Sequence, residues 1–300
     1  MLVNKSEIRR QTSLVSLSGR PQQCHMQHGI HFISGLPRAG STLLAAILRQ
    51  NERFHAGMTS PVGGMYLALE QAMSRRNETA VFIDGQQRRD LLAGLFTNYY
   101  NVVQRDRLAF DTNRIWCAKL PGLTQLFPEA RVICCVRDLG WIMDSIERLV
   151  RRNAFEPSGM FGFEAGHNVF SRVNRLADGD GMVGFALDAL KDGFFGEQSD
   201  RMILVEYEAL VRQPQRTMAR LYDFLGEPHF AHDFDNVTYG AEEFDLALGA
   251  PGLHEIRRKV EWVERRTVLP PELFRRFDND MFWRSPGNSQ RGVPVIGYTD

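Results

Sequence analysis

The 300-residue sequence predicts an α/β fold, with a P-loop-like, mostly parallel central sheet flanked by helices and carrying helical insertions. Three observations carry that expectation. Short apolar runs at 30–34, 115–118, 131–136 and 202–205 alternate with longer stretches of helical periodicity. The run Arg-Val-Ile-Cys-Cys-Val at 131–136 is apolar on both faces, which suits a strand covered by helices on both sides. The first run ends at Gly35 and enters a glycine-spaced loop that leads straight into a helix.

The elements follow in order. Residues 1–28 are rich in Ser, Gln and Arg without sustained periodicity, and read as a loose N-terminal arm. No linker divides residues 29–300, which are expected to form one domain. After the strand at 30–34, Leu43, Leu44, Ala46, Ile47 and Leu48 fit a helix over 41–50, with further helices over 63–75 and 86–104. A strand is expected at 115–118. The strand at 131–136 is followed by Asp138 in an N-cap position, then by the apolar stripe Leu139, Ile142, Met143, Ile146, Leu149 and Val150. Helical patterns at 163–176 and 183–194 lead to the strand at 202–205. A later helix stops at Phe224-Leu225-Gly226, with Gly226 and Pro228 as end signals. Ligands of open α/β sheets bind at the carboxyl ends of the strands, so chemistry is expected just after Ser34, Ala118, Val136 and Val205.

Composition removes several function classes. Lys plus Arg and Asp plus Glu number 36 each, and this balance argues against a nucleic-acid partner, since phosphate-backbone affinity needs massed cations. No run approaches the ~18 apolar residues of a spanning helix, so no membrane partner is expected. The first 25 residues lack the apolar core of a secretory signal. Cys24, Cys117, Cys134 and Cys135 have no C-x-x-C spacing; the adjacent pair reads as small buried hydrophobes, and the expected location is a reduced cytoplasm.

The sharpest motif is Gly35-Leu36-Pro37-Arg38-Ala39-Gly40-Ser41-Thr42. Its glycine spacing, between a strand and a helix, is that of a loop whose backbone N–H groups and helix N-terminus face an anion. A nucleoside triphosphatase needs Lys after the second Gly; Ser41 stands there, and the cation lies inside the loop at Arg38. A turn that merely started a helix would need the glycines but not Arg38 and two hydroxyls.

The stretch P-R-x-G-S-T-L-L resembles the 5′-phosphosulfate loop of sulfotransferases that use 3′-phosphoadenosine 5′-phosphosulfate (PAPS). Val136-Arg137-Asp138, with Ser145 eight positions after Arg137, resembles the 3′-phosphate motif of that family, and Phe127 to Ile133 its lead-in strand. Val205-Glu206-Tyr207-Glu208-Ala209-Leu210-Val211, with Pro214 and Asp223-Phe224-Leu225-Gly226, resembles the later strand–helix segment. The pattern is nearest to tyrosylprotein sulfotransferase-like proteins and their bacterial relatives. The resemblance implies sulfuryl transfer from PAPS, as co-substrate and without a metal, to a hydroxyl or amine on a small-molecule or peptide acceptor.

It also implies roles. Arg38 and Lys119 are the expected catalytic cations. Arg38, Ala39, Gly40, Ser41 and Thr42 would hold the phosphosulfate, and Arg137 with Ser145 the 3′-phosphate, two anion sites one nucleoside apart. Tyr207 would border the nucleotide, and Arg258, Lys259 and Arg265 would belong to a late loop over its 3′ end. Guanidinium groups suit this work because they offer planar bidentate donors to phosphate. Both places where such families carry a general base are filled otherwise, by Gly57-Met58-Thr59 and by Leu120-Pro121. His55, Asp84, Asp111 and His254 are possible substitutes. A P-loop kinase or ATPase, and a non-catalytic nucleotide-binding module, are the alternative readings.

Overall fold

The computed structural model describes residues 29–103, 107–155, 168–285 and 292–298. The arm expected over 1–28, Cys24 within it, the end of the helix expected over 86–104 and the first residues of the helix expected over 163–176 lie outside the described residues. Six parallel strands make one sheet: β1 Ile30–Gly35, β2 Phe54–Ala56, β3 Leu108–Thr112, β4 Val132–Val136, β5 Met202–Glu206 and β6 Val295–Ile296, in the order β2-β3-β1-β4-β5-β6. β1, β3, β4 and β5 are buried along their whole length, as the apolar run at 131–136 requires.

One expected strand is corrected. Residues 115–118 are not extended; Arg114–Trp116 form a 3₁₀ turn, started by Asn113, whose side chain accepts the Ile115 N–H. Its apolar character reflects anchoring. Trp116 is fully buried, with ring centroids 5.3 Å from Phe32, 5.6 Å from Tyr66 and 5.6 Å from Phe96. The strand at this place is β3, and its alternation is interrupted by Asp111. That carboxylate is 0% exposed yet fully engaged, by Trp116 Nε1 at 2.8 Å and by the hydroxyls of Tyr100 and Ser60 at 2.5 Å each. Asp111 is therefore part of the core rather than a candidate base.

The helices agree with the sequence where their stripes are long. α1 Ser41–Leu48 buries Leu44 to Leu48 against the sheet. α2 Val62–Ala72 and α4 Leu120–Leu126 both pack on α3 Gly85–Val103, whose Phe96 meets Phe32 of β1, and α5 Leu139–Arg152 follows β4. In α5 the Asp138 side chain accepts the Trp141 N–H at 3.1 Å, and Leu139, Ile142, Met143, Ile146 and Leu149 are buried. α6 Val169–Ala177 and α7 Met182–Phe195 precede β5; α8 Tyr207–Arg212 and α9 Pro214–Leu225 follow it, with left-handed Gly226 (φ 71°) ending α9. A core running from Ile30 to Ile296 joins the sheet to these helices. β1 sits between β3 and β4, so the crevice outside its carboxyl end lies where the chain departs to both sides.

One buried titratable group lies in this central strand. His31 is 7% exposed, its Nδ1 accepts the Arg131 N–H at 3.1 Å, and burial, helped by the Arg131 charge, lowers its pKa from 6.5 to about 4. The fold needs a neutral imidazole, whereas the unfolded chain binds a proton near pH 6.5. His31 therefore contributes full stability above that pH and loses it as pH falls toward 4, by up to about 3 kcal/mol. Urea midpoints measured across this window should fall for the wild type and fall less steeply for His31→Gln, whose carbonyl can replace the acceptor. Some slope should persist, because burial also lowers His232 to about 4.

Candidate active site at the carboxyl edge of the sheet

The loop after β1 owes its shape to its glycines. The Leu36 N–H donates to Cys135 O at 2.8 Å, which continues the β1–β4 pairing past the strand end. Gly35 has φ 97°, and a Cβ there would lie 2.3 Å from Cys135 O. Gly40 has φ 95°, and its Cβ would meet the Tyr207 ring at 3.0 Å. Arg38 is the only non-glycine residue with positive φ among the described residues, at 57°. Gly40 is also the N-cap of α1 and offers no side-chain acceptor, so no side chain caps the helix start among the described residues.

Two guanidinium groups meet over this loop. Arg38 Nε donates to Ser145 Oγ at 3.1 Å, and Arg38 Nη1 donates to the Leu253 carbonyl. Arg137, at the end of β4 and 8% exposed, lies with its guanidinium carbon 4.1 Å from the Tyr207 ring centroid and donates from Nη1 to Arg38 O at 3.4 Å. Its Nε is buried without a partner among the described residues. Burial first, and the Arg137 charge next, lower the Arg38 pKa to about 10; burial lowers Arg137 too. Crowding cations under desolvation is costly unless an anion completes the arrangement.

Opposite them, Arg265 Nη2 stands 3.0 Å from Asp144 Oδ2 and the guanidinium faces the Trp141 ring at 5.4 Å. Asp144, 0% exposed, also accepts from Arg148 Nε at 2.9 Å and from the Val268 N–H at 2.7 Å. The cavity between these groups measures about 580 Å³, the size of a small-molecule or nucleotide pocket.

Arg38, Gly40, Ser41, Thr42, Arg137, Ser145, Tyr207, Lys259 and Arg265 all line that cavity. Ala39 does not; it is 1% exposed and packs inward, leaving its backbone to the loop. Arg258 points away, with Nε 3.0 Å from Asn236 Oδ1. Lys259 Nζ is 3.4 Å from Asp235 on an exposed side chain. Lys119 is not at a strand end: it caps α4, lies outside the cavity lining, and its Nζ pairs with Glu70 at 2.6 Å. The Arg38 side chain reaches from the loop to Ser145, so the two expected anion sites border each other.

One lining residue escaped the sequence reading, and another stood in it only as one of four possible substitutes for the base. Arg114 was hidden by the misplaced strand. His254 lines the cavity with its Nδ1 2.5 Å from Oδ1 of the buried Asp245, a pairing across a loop that no spacing rule signals.

The description of the Sulfotransferase family matches residues 31–232, a segment that holds the loop, Arg137, Ser145 and Tyr207. The chain belongs to the sulfotransferase family. Protein-tyrosine sulfotransferase 1 of Danio rerio is 25% identical over 248 residues, covering 77% of this chain and 61% of that protein. Protein-tyrosine sulfotransferase 2 of Gallus gallus is 23% identical over 241 residues, covering 77% of this chain and 59% of that protein. The chain thus spans less than two thirds of the length of these relatives. Among solved structures, the Sulfotransferase Domain from the Curacin Biosynthetic Pathway superposes with a TM-score of 0.47 at 18% identity, over 88% of this chain and 95% of that one.

In this sulfotransferase-family chain Gly35 has the tighter surroundings of the two loop glycines. Gly35→Ala combines a left-handed backbone with a collision against a carbonyl that cannot rotate away, and should cost about 3 kcal/mol. Chemical denaturation of the variant should show that loss, together with disturbed anion binding.

Proposed function

We propose that the chain transfers a sulfuryl group from PAPS to a hydroxyl or amine acceptor, small molecule or peptide. The observation that carries this reading is the pair of recessed guanidinium groups, Arg38 and Arg137, beside a helix start without a side-chain cap, with the Nε of Arg137 unpartnered among the described residues. PAPS carries a 5′-phosphosulfate and a 3′-phosphate, and the donor set fits both. The 39–42 amides, Ser41, Thr42 and Arg38 would hold the former, and Arg137 with Ser145 the latter. Tyr207, Lys259 and Arg265 border the same space.

When bound, PAPS supplies an activated sulfuryl group whose departure loads negative charge onto the bridging oxygen. Arg38 and the loop amides are fixed donors for that charge, and fixed donors in a recessed site act without reorganisation cost. Lys119 stays outside this reading, since Glu70 holds its ammonium away from the cavity. Phenols are the first acceptors to try, because the named relatives act on protein tyrosine. Residues 29–300 are taken as one working unit in a reducing compartment, a reading supported by Cys117, Cys134 and Cys135 as buried free thiols. Among the described residues no helix is long and apolar enough to cross a membrane.

Adenosine 3′,5′-bisphosphate should raise the melting temperature without added metal, with a stabilisation of about 2.7 kcal/mol at ~100 times its Kd. ATP with magnesium, the ligand a kinase would prefer, should do less. No shift at millimolar bisphosphate overturns the proposal. Arg137→Ala should weaken bisphosphate binding roughly tenfold to hundredfold by calorimetry, the range of a charge-assisted bond, while the fold persists.

A further inference from the structure

A second constellation opens onto the same cavity and has no part in holding anions. It lies after residue 232, beyond the segment that matches the family. The short helix α10 Glu242–Ala247 carries Asp245, 2% exposed. The chain then turns through Gly249 (φ 63°) and Gly252 (φ 80°) and brings His254 back onto Asp245. Both carboxylate oxygens are committed to that one residue: Oδ2 accepts the His254 backbone N–H at 2.8 Å, and Oδ1 stands 2.5 Å from Nδ1. A carboxylate at Nδ1 makes that nitrogen the protonated one and leaves the lone pair on Nε2. Among the described residues no hydrogen bond engages Nε2.

The placement of the imidazole relative to the anion loop is also built in. Leu253, the residue before His254, accepts from Arg38 Nη1, so the strap that carries the imidazole is tied to the guanidinium over the loop. His254 lines the cavity with Arg38, Ser41 and Thr42, and its side chain keeps 17% of its surface exposed there. A carboxylate that merely pinned the strap would need the backbone N–H alone. The second contact also orients the ring and fixes its tautomer, which is what a proton acceptor requires.

We propose that His254 is the general base of sulfuryl transfer, with Asp245 as its positioning residue. The inference rests on the reading of this site as one that uses PAPS. The acceptor's O–H or N–H proton passes to Nε2 as the acceptor atom forms its bond to sulfur. The bond from sulfur to the bridging oxygen breaks, and its electron pair stays on the phosphate oxygen of the departing bisphosphate. The imidazolium then returns its proton to solvent, with no other reactant needed. The charged groups acting on the ring are Asp245, which raises its pKa, and Arg38 and Arg114, which lower it; burial has the largest effect and the net direction is down. The ring is therefore neutral near pH 7 and ready to accept.

The test uses the full chain with PAPS and a series of phenols from ordinary to nitro-substituted, with bisphosphate affinity measured in parallel. His254→Gln should lower kcat by ~100-fold or more toward weakly acidic phenols, the range of general-base catalysis, with bisphosphate affinity unchanged. The deficit should shrink for nitrophenols that are already ionised, and the acidic limb of the kcat–pH profile should disappear. Ring nitrogen spectra should show the Nδ1–H tautomer in the wild type and its loss in Asp245→Asn, whose amide can accept only one of the two N–H groups. A deficit independent of acceptor acidity, an equal loss of bisphosphate affinity, or full activity in His254→Gln each overturns the base assignment while leaving the PAPS reading intact. Failure of the wild type to bind the bisphosphate and to transfer from PAPS overturns both.

Discussion

The close approach of the β1 end to β4 is the constraint on which the site depends. Gly35 runs so near the Cys135 backbone that no side chain fits between them, and the Leu36 N–H prolongs the pairing by one residue. That contact brings the loop out of the sheet beside the end of β4, where Arg137 begins. The Arg38 carbonyl and the Arg137 guanidinium come within hydrogen-bond reach because the two strand ends have no freedom to separate. Apolar burial thus sets the position of the cations: β1 and β4 are buried throughout, and the charges stand where the buried strands stop.

Holding these cations together costs free energy that the rest of the edge offsets only in part. Asp144 is the buried carboxylate at their side, and it is shared among Arg148, Arg265 and the Val268 N–H. The Tyr207 ring gives Arg137 a cation–π face in place of an anion. Arg38 leans on neutral oxygens, from Ser145 and Leu253. Neutral acceptors satisfy N–H groups without cancelling charge. The arrangement stays attractive to a ligand that brings charge with it, and such a site favours polyanions over neutral nucleosides.

What the sequence disclosed follows from how local each signal is. The loop, Arg137, Ser145 and the Asp138 cap were legible because strand, turn and helix are consecutive there, and each residue's task is set by its neighbours in the chain. β3 was not legible, because the buried Asp111 that locks Trp116, Tyr100 and Ser60 reads locally as a surface residue. The 3₁₀ turn at 114–116 imitated a strand, because a turn that buries Trp116 is as apolar as one. That error moved Lys119 to a strand end and hid Arg114. Two- and three-residue strands such as β6 and β2 leave no periodicity to read. The Asp245–His254 pairing depends on a turn through two left-handed glycines, and only the folded chain brings it together.

The exchange of a loop lysine for Ser41, with the cation moved to Arg38, changes what the loop can hold. A lysine after the second glycine would lie on the first turn of α1, its ammonium confined to the space above the helix start. Arg38 leaves the loop before the helix begins, and its side chain crosses to α5 at Ser145 and to the strap at Leu253. One guanidinium thereby ties its own loop to two parts of the chain that come from distant sequence. A ligand drawing on Arg38 must compete with those neutral acceptors, and in doing so it is read by α5 and by the strap as well as by the loop. The loop and the His254 strap are thus mechanically linked, since Leu253 accepts from the same side chain that leaves the loop.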